Sequence, residues 1–280
     1  MSSRILLNLM LALFLAGLAL FAFYEPGKEV PPPSQQLTAL SVDAIEKLGI
    51  ENSSGNAISL VKQQGQWHMT SPYQVAADSG RLEQLLGVVS AKSLASYAMA
   101  QVDANQLQLD SPQLILRIND DTVLRFGTTD SLQGRRYVQV GNRVHLIVDR
   151  YSHLAHGAAS HLVSPRLLPP ASTITQLTLP TLTLQHSEQG WQTTTTDNYS
   201  ADELQAFIDQ WRNARALSVT GLDASAAVDD KLTIGTTDGE ISFNIQRTDD
   251  EIILQRPELG LAYHFNREAG QRLLQLAPKD

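Results

Sequence analysis

Apolar residues along this chain form one long uninterrupted run and then a series of short alternating ones. Residues 5–24 are apolar except for Asn8. Beyond them, Leu60 to Thr70 (LVKQQGQWHMT) alternates, reaches a Gly-containing turn and enters a second strand carrying Trp67. Leu184 to Thr194 (LQHSEQGWQTT) repeats the pattern, with Leu60 and Leu184, Trp67 and Trp191, and Thr70 and Thr194 at one offset. A helical period follows each hairpin. In the first copy Asp78 is placed to cap it, and Leu82, Leu85, Leu86 and Val89 share one face. In the second, Ser200 is the cap, Glu203 completes a capping box, and Leu204, Phe207, Ile208 and Trp211 repeat the spacing.

Alternating strands then recur in both copies: Leu114 to Ile118, Thr122 to Phe126, Tyr137 to Val140 and Val144 to Val148, then Lys231 to Gly235, Glu240 to Ile245, Ile252 to Gln255 and Leu261 to Phe265. Short links such as Asn119-Asp120-Asp121 and Thr237-Asp238-Gly239 suit hairpins, so the sheets are expected to be largely antiparallel. Each copy is expected to close with a helical segment, near Tyr151 to His161 and Arg267 to Leu276, and Pro165, Pro169 and Pro170 mark the boundary between copies. The expected fold class is α+β: an N-terminal transmembrane helix followed by two tandem related modules, each a mainly antiparallel sheet with a packed helix.

At 1.5 Å rise per residue, about 20 residues cross a bilayer core of roughly 30 Å, which is the length of the 5–24 run. Arg4 and the free amine precede it, and Glu25, Lys28 and Glu29 follow, so the positive-inside rule places the N-terminus in the cytoplasm. The alternative is a cleaved signal peptide. Gly17-Leu18-Ala19 has the small-x-small pattern but lies inside the apolar run, and Leu20-Phe21-Ala22 has a bulky first residue. Residues 25–36 (EPGKEVPPPSQQ) read as a linker, stiffened at Pro31-Pro32-Pro33. The organisation is then 1–4 cytoplasmic, 5–24 anchor, 25–36 linker, 37–170 first module and 171–280 second module, a degenerate repeat. The expected address is a bacterial inner membrane, with the soluble part periplasmic.

Composition removes several chemistries. Cysteine is absent, which excludes disulfides, thiolate metal sites, cysteine nucleophiles and an acylated lipoprotein cysteine. Net charge is −8 and no Lys/Arg-rich run occurs, which argues against a nucleic-acid partner. The charge is uneven. From Gln113 to Pro170 there are seven arginines, no lysine and four aspartates, while Ala171 to Asp280 holds 16 acidic and 8 basic residues. Arg117 and Arg125 alternate with Leu116 and Phe126 and are expected to point outward, with Arg135, Arg136, Arg143 and Arg150 around the next hairpin. Arginine suits forked contacts with carboxylate or phosphate. Arg117, Arg125, Arg135, Arg136 and Arg143 are the candidate partner surface.

The order of features in the first copy resembles a bacterial family known as domain of unknown function 4340. Trp67 precedes Pro72, Ala77-Asp78 opens the helix, Leu109-Asp110-Ser111-Pro112 leads into a strand, Tyr137-Val138 starts another, and Ser164-Pro165-Arg166-Leu167-Leu168 closes the copy. Leu107-Gln108 stands where the family often has Tyr-Gly, whereas the second copy has Gly221-Leu222-Asp223 at the corresponding point. The resemblance implies a membrane-anchored extracytoplasmic protein, associated in some members with ABC transporters related to gliding motility. It carries over no catalytic residues.

Other chemistry is sparse. His153, three residues before His156 in YSHLAHGAASH, would share a helix face with it and is the weak candidate for a metal pair, while His161 turns away. Asp120-Asp121, Asp229-Asp230 and Asp249-Asp250 fall at expected turns as solvated acids. No G-x-S-x-G elbow, Walker loop or dinucleotide fingerprint occurs, and no cofactor is expected. The favoured function is a non-catalytic, membrane-anchored interaction module of an envelope complex, with transporter subunits among the expected partners. The alternatives are a periplasmic small-ligand or metal-binding protein and an envelope hydrolase.

Full-length protein should remain with membranes through high salt and alkaline carbonate. A mature N-terminus after Ala19 or Ala22, read by sequencing protein from cells, would show cleavage instead of anchoring.

Overall fold

The computed structural model describes residues 10–18, 35–52, 55, 57–130, 134–194 and 199–276. The chain divides into two units, Met1–Gln35 and Gln36–Asp280. In the first, residues 10–18 are helical and their side chains are exposed. The expected cytoplasmic segment, the rest of the expected anchor and the linker up to Ser34 lie outside the described residues. Among the described residues, no helix is long and apolar enough to cross a membrane.

The second unit is built on two antiparallel sheets. The first contains β1 (Lys47–Asn52), β2 (Ala57–Gln63), β3 (Gln66–Ser71), β4 (Val75–Ala76), β5 (Ser93–Ala98), β6 (Leu114–Ile118), β7 (Thr122–Thr129), β8 (Arg135–Val140) and β9 (Arg143–Val148), in the order β4-β3-β2-β1-β6-β7-β8-β9-β5. The second contains β10 (Ile174–Thr178), β11 (Thr183–Ser187), β12 (Gly190–Thr193), β13 (Ser218–Gly221), β14 (Asp230–Thr236), β15 (Gly239–Arg247), β16 (Glu251–Arg256) and β17 (Leu261–Asn266), in the order β12-β11-β10-β14-β15-β16-β17-β13. With the two-residue β4 set aside, the two orders are the same. Three strands run from the centre to one edge, the chain crosses through a helix to the far edge, and four strands fill the gap. The hairpin registers agree as well: Lys62 faces Trp67 and Leu60 faces Met69, as His186 faces Trp191 and Leu184 faces Thr193. The first hairpin turns at Gln64 and Gly65, both at positive φ (50° and 80°), the geometry of a tight two-residue hairpin.

Local chemistry starts each helix. At α1 (Ser79–Leu86), the Asp78 carboxylate accepts from the Arg81 N–H at 3.2 Å. At α2 (Ala201–Asn213), Ser200 Oγ accepts from the Glu203 N–H while the Glu203 carboxylate accepts from the Ser200 N–H at 2.6 Å. At α3 (Arg267–Leu274), Asn266 Oδ1 accepts from the Ala269 N–H at 2.7 Å. Leu82, Leu85 and Leu86 of α1 are buried, as are Leu204, Phe207, Ile208 and Trp211 of α2. Gly270 lets α3 approach β16 closely, because a Cβ there would lie 2.4 Å from that of Ile252.

One apolar cluster contains buried residues of both sheets and of the helices, among them Trp67, Phe126 and Phe243 on strands and Trp211 on α2. The prolines of the boundary segment do not make it a loose linker. Ser164 N donates to Ala76 O at 2.9 Å on the first sheet's side. Leu167 N donates to Ala214 O, and Ala216 N to Pro165 O at 2.8 Å, on the second sheet's side. Leu167 and Leu168 are buried in the shared cluster.

The expected helix near Tyr151 to His161 is not formed. Two short 3₁₀ turns, Ser152–Leu154 and Ala159–Leu162, stand there, separated by Gly157 at φ +97°. The cause is tertiary. The Asp149 carboxylate accepts from the Tyr151 and Ser152 N–H groups at 3.0 Å and starts one tight turn. The buried Asn52 on β1 then donates to the carbonyls of Ala155 and Gly157, both at 3.1 Å, and so takes oxygens that a continuing helix would use.

Trp67→Ala and Trp191→Ala should each lower unfolding stability in denaturant titration, Trp67→Ala by about 3–5 kcal/mol. Trp191, which is 8% exposed against 1% for Trp67, should cost less. Negligible effects from both would mean that the paired hairpins do not anchor the core.

Candidate functional site: the outer face of the first sheet

The strand pleat decides where the five candidate arginines go. Arg117 lies between the buried Leu116 and Ile118, and Arg125 between the buried Leu124 and Phe126, so both point away from the core. Arg135 faces Val148, which is 49% exposed, and joins them on that outer side. Arg136 faces Ile147, which is fully buried.

Arg136 is therefore not a surface residue, contrary to the sequence reading. Its side chain is 15% exposed, pairs with Asp149 and donates to the Gly127 carbonyl at 2.8 Å. Gly127 is needed there because a Cβ would meet the Leu107 carbonyl oxygen at 2.2 Å. Arg143 reaches across the edge pair and donates to Ser96 Oγ at 2.8 Å. Arg117 is paired with Glu51 at 2.7 Å, an exposed pair of small energetic weight. Among the described residues, the side chains of Arg125 and Arg135 have no hydrogen-bond or ion-pair partner.

Around these guanidinium groups the outer face is partly apolar. Ile115 and Gln139 flank Arg125, and Val123 faces Arg117. Ile115, Val123 and Tyr137 are half-buried, while Tyr97 on the edge strand is 42% exposed. The corresponding face of the second sheet carries Thr233, Ser242, Asn244 and Gln246 instead. Two sheets of one topology thus present different outer surfaces.

The remaining candidates fall elsewhere. His153 and His156 are exposed and share no helix face, because the helix that would align them is absent. Among the described residues, no group of three or more His, Asp or Glu is arranged to hold a metal ion. The paired aspartates sit at turns and strand ends: Asp120 bonds Lys47 at 2.7 Å, and Asp230 pairs with Arg247. A feature invisible to local motifs is the chain Thr220–His264–Glu251, where His264 Nε2 is 2.9 Å from Thr220 Oγ1 and Nδ1 is 2.9 Å from Glu251 Oε2. Its members come from β13, β17 and β16, so sequence spacing carries no sign of it. It lies on the outer face of the second sheet and ties an edge strand to its neighbours.

Residues 67–253 match the family described as "Domain of unknown function (DUF4340)". The chain belongs to that family. In this DUF4340 protein the match starts at Trp67 on β3 and runs through both sheets into β16, so the second copy is part of it rather than an unrelated addition. No curated relative and no solved structure matches the chain.

The Arg136–Asp149 pair supports the strand that carries Arg135 and Tyr137. Burial pushes the Asp149 carboxyl up. Hydrogen bonds from the Ser152 hydroxyl, the Ser152 and Tyr151 N–H groups and Arg136 outweigh burial and hold it below its ordinary value. A depressed carboxyl pKa stabilises the fold above the unfolded-state value of about 3.9 and loses that contribution as pH falls through the folded-state value. Asp149→Ala, which leaves Arg136 without its buried partner, should cost about 3–5 kcal/mol near neutral pH. It should also flatten the stability-versus-pH curve on the acid side. An unaltered acid limb in the variant would show that Asp149 is not the linked group.

Proposed function

We propose that this DUF4340 protein is a non-catalytic, membrane-anchored, extracytoplasmic interaction module of a bacterial envelope complex, its partners envelope or transporter subunits. The observation that carries this reading is the outer face of the first sheet, where Arg125 and Arg135 stand unpaired beside half-buried Ile115, Val123 and Tyr137. Protein interfaces combine apolar and aromatic area with arginine, and they favour arginine over lysine. The apolar run at residues 5–24 supports the anchored address, and the shared core of the two sheets supports a rigid platform for the face. The partner surface is expected to be acidic, since the half-buried but unpaired guanidinium groups of Arg125 and Arg135 offer forked donors to carboxylates.

The test is purification of the full-length protein from gently solubilised membranes, with partners identified by mass spectrometry. A variant carrying Arg125→Gln, Arg135→Gln and Tyr137→Ala should keep its fold and lose the partner. Exposed single changes usually stay within about ±0.5 kcal/mol, with more expected here because all three side chains are half-buried. Arg→Lys at the two arginines should retain only part of the binding if the contact is forked. Undiminished recovery of every wild-type partner by the triple variant would remove this face from the interaction.

A further inference from the structure

A second surface feature stands apart from the outer face. Where the β3–β4 edge of the first sheet, the Ser164–Pro170 connector and the β16–β17 end of the second sheet meet, they enclose a groove of about 530 Å³. That volume lies in the range of small-molecule sites. Met69, Val75, Leu167 and Leu259 contribute apolar walls. Arg166 and Arg256 contribute cations, and among the described residues no Asp or Glu lines the groove.

Three observations indicate what it would take. Tyr263 borders the groove and is 1% exposed; among the described residues its hydroxyl has no protein hydrogen-bond partner, and it is not among the fully enclosed unpartnered atoms, so what little of it is exposed meets solvent. A ligand group in the groove could take the place of that solvent as the hydroxyl's partner. Burial raises the phenol's pKa, against the opposing charge of Arg256, so the hydroxyl is protonated at neutral pH and available as a donor. Arg256 is held in place: it lies over the Phe243 ring at 5.5 Å and pairs with Glu258 at 2.7 Å, which offsets its charge. Arg166 has no side-chain partner among the described residues, so the groove carries about one uncompensated positive charge.

We propose that this groove is a binding site for a small organic monocarboxylate with an apolar body, received by Arg166, Arg256 and the Tyr263 hydroxyl. One uncompensated charge matches a monoanion better than a dianionic phosphate. The apolar walls suit an aliphatic or aromatic body. An extended peptide is disfavoured because β4 is only two residues long and its Ala76 carbonyl already accepts from Ser164 N, which leaves little edge for strand addition.

The test uses the full-length protein in lipid nanodiscs, with empty nanodiscs as the blank, and isothermal titration calorimetry with octanoate and 4-phenylbutyrate. At least one should bind saturably above the blank. 1-Octanol, which keeps the body and lacks the charge, and acetate, which keeps the charge and lacks the body, should each bind at least tenfold more weakly. Arg166→Gln should weaken binding about tenfold or more. Tyr263→Phe, which removes only an unpaired hydroxyl, should weaken it severalfold while the thermal melt stays unchanged. Arg212→Gln, at an exposed helix position outside the groove, should bind as wild type. Any of four results would overturn the proposal: no saturable binding of either carboxylate, octanol binding as well as octanoate, full binding by Arg166→Gln, or octyl phosphate or a short peptide binding more tightly than both carboxylates.

Discussion

A β-sheet with one apolar face has to cover that face, and in this protein the covering is shared. The inner faces of two sheets of the same topology, together with the helices that cross between their strands, belong to one apolar cluster. The boundary segment is drawn into it, with Leu167 and Leu168 buried and its backbone bonded to both sheets. Because one strap serves both copies, the second unit is held together as a single body. Everything outward-facing is positioned by that body. Arg125 and Arg135 are presented by strands whose alternate residues are locked in the core, which keeps their side chains on a common face.

Duplication leaves the inner faces under one constraint and releases the outer ones. Both copies keep a tryptophan after the hairpin turn, a capped helix over the sheet and the same strand order, because these determine whether the core closes. The outer faces have no such requirement. One carries arginine, tyrosine and aliphatic residues, and the other carries hydroxyl and amide residues together with Lys231, Glu251 and His264. The groove arises from the pairing itself, since its walls come from both sheets and the strap between them.

Residues close in sequence with a regular period announce themselves. The hairpins at β6–β7, β8–β9, β14–β15 and β16–β17 are legible because alternation and short polar turns are local signals. Strands β1, β5, β10 and β13 carry no comparable local signal. Each is four to six residues long; β5 and β13 pair only with strands distant in the chain, as when Tyr97 faces Val144, and β1 and β10, though each joins a neighbouring strand, are fixed in the sheet by a distant one as well, as when Leu48 faces Ile118. Nothing within such a short stretch reports a partner 50 or 70 residues away.

The sequence by itself determined an α+β chain with antiparallel hairpins, a repeated tryptophan-and-helix unit and membership of DUF4340, because each rests on local period, turn chemistry or motif order. Tertiary structure alone decided three further matters. It broke the expected helix after β9, since Asn52 and Asp149 claim backbone groups that a helix would need. It took Arg136 out of the surface, since strand register sets it opposite the buried Ile147 and beside Asp149. It brought Arg166, Arg256 and Tyr263 to one groove, since they lie on the strap and the second sheet and meet β3 and β4 only when both copies close over a common core.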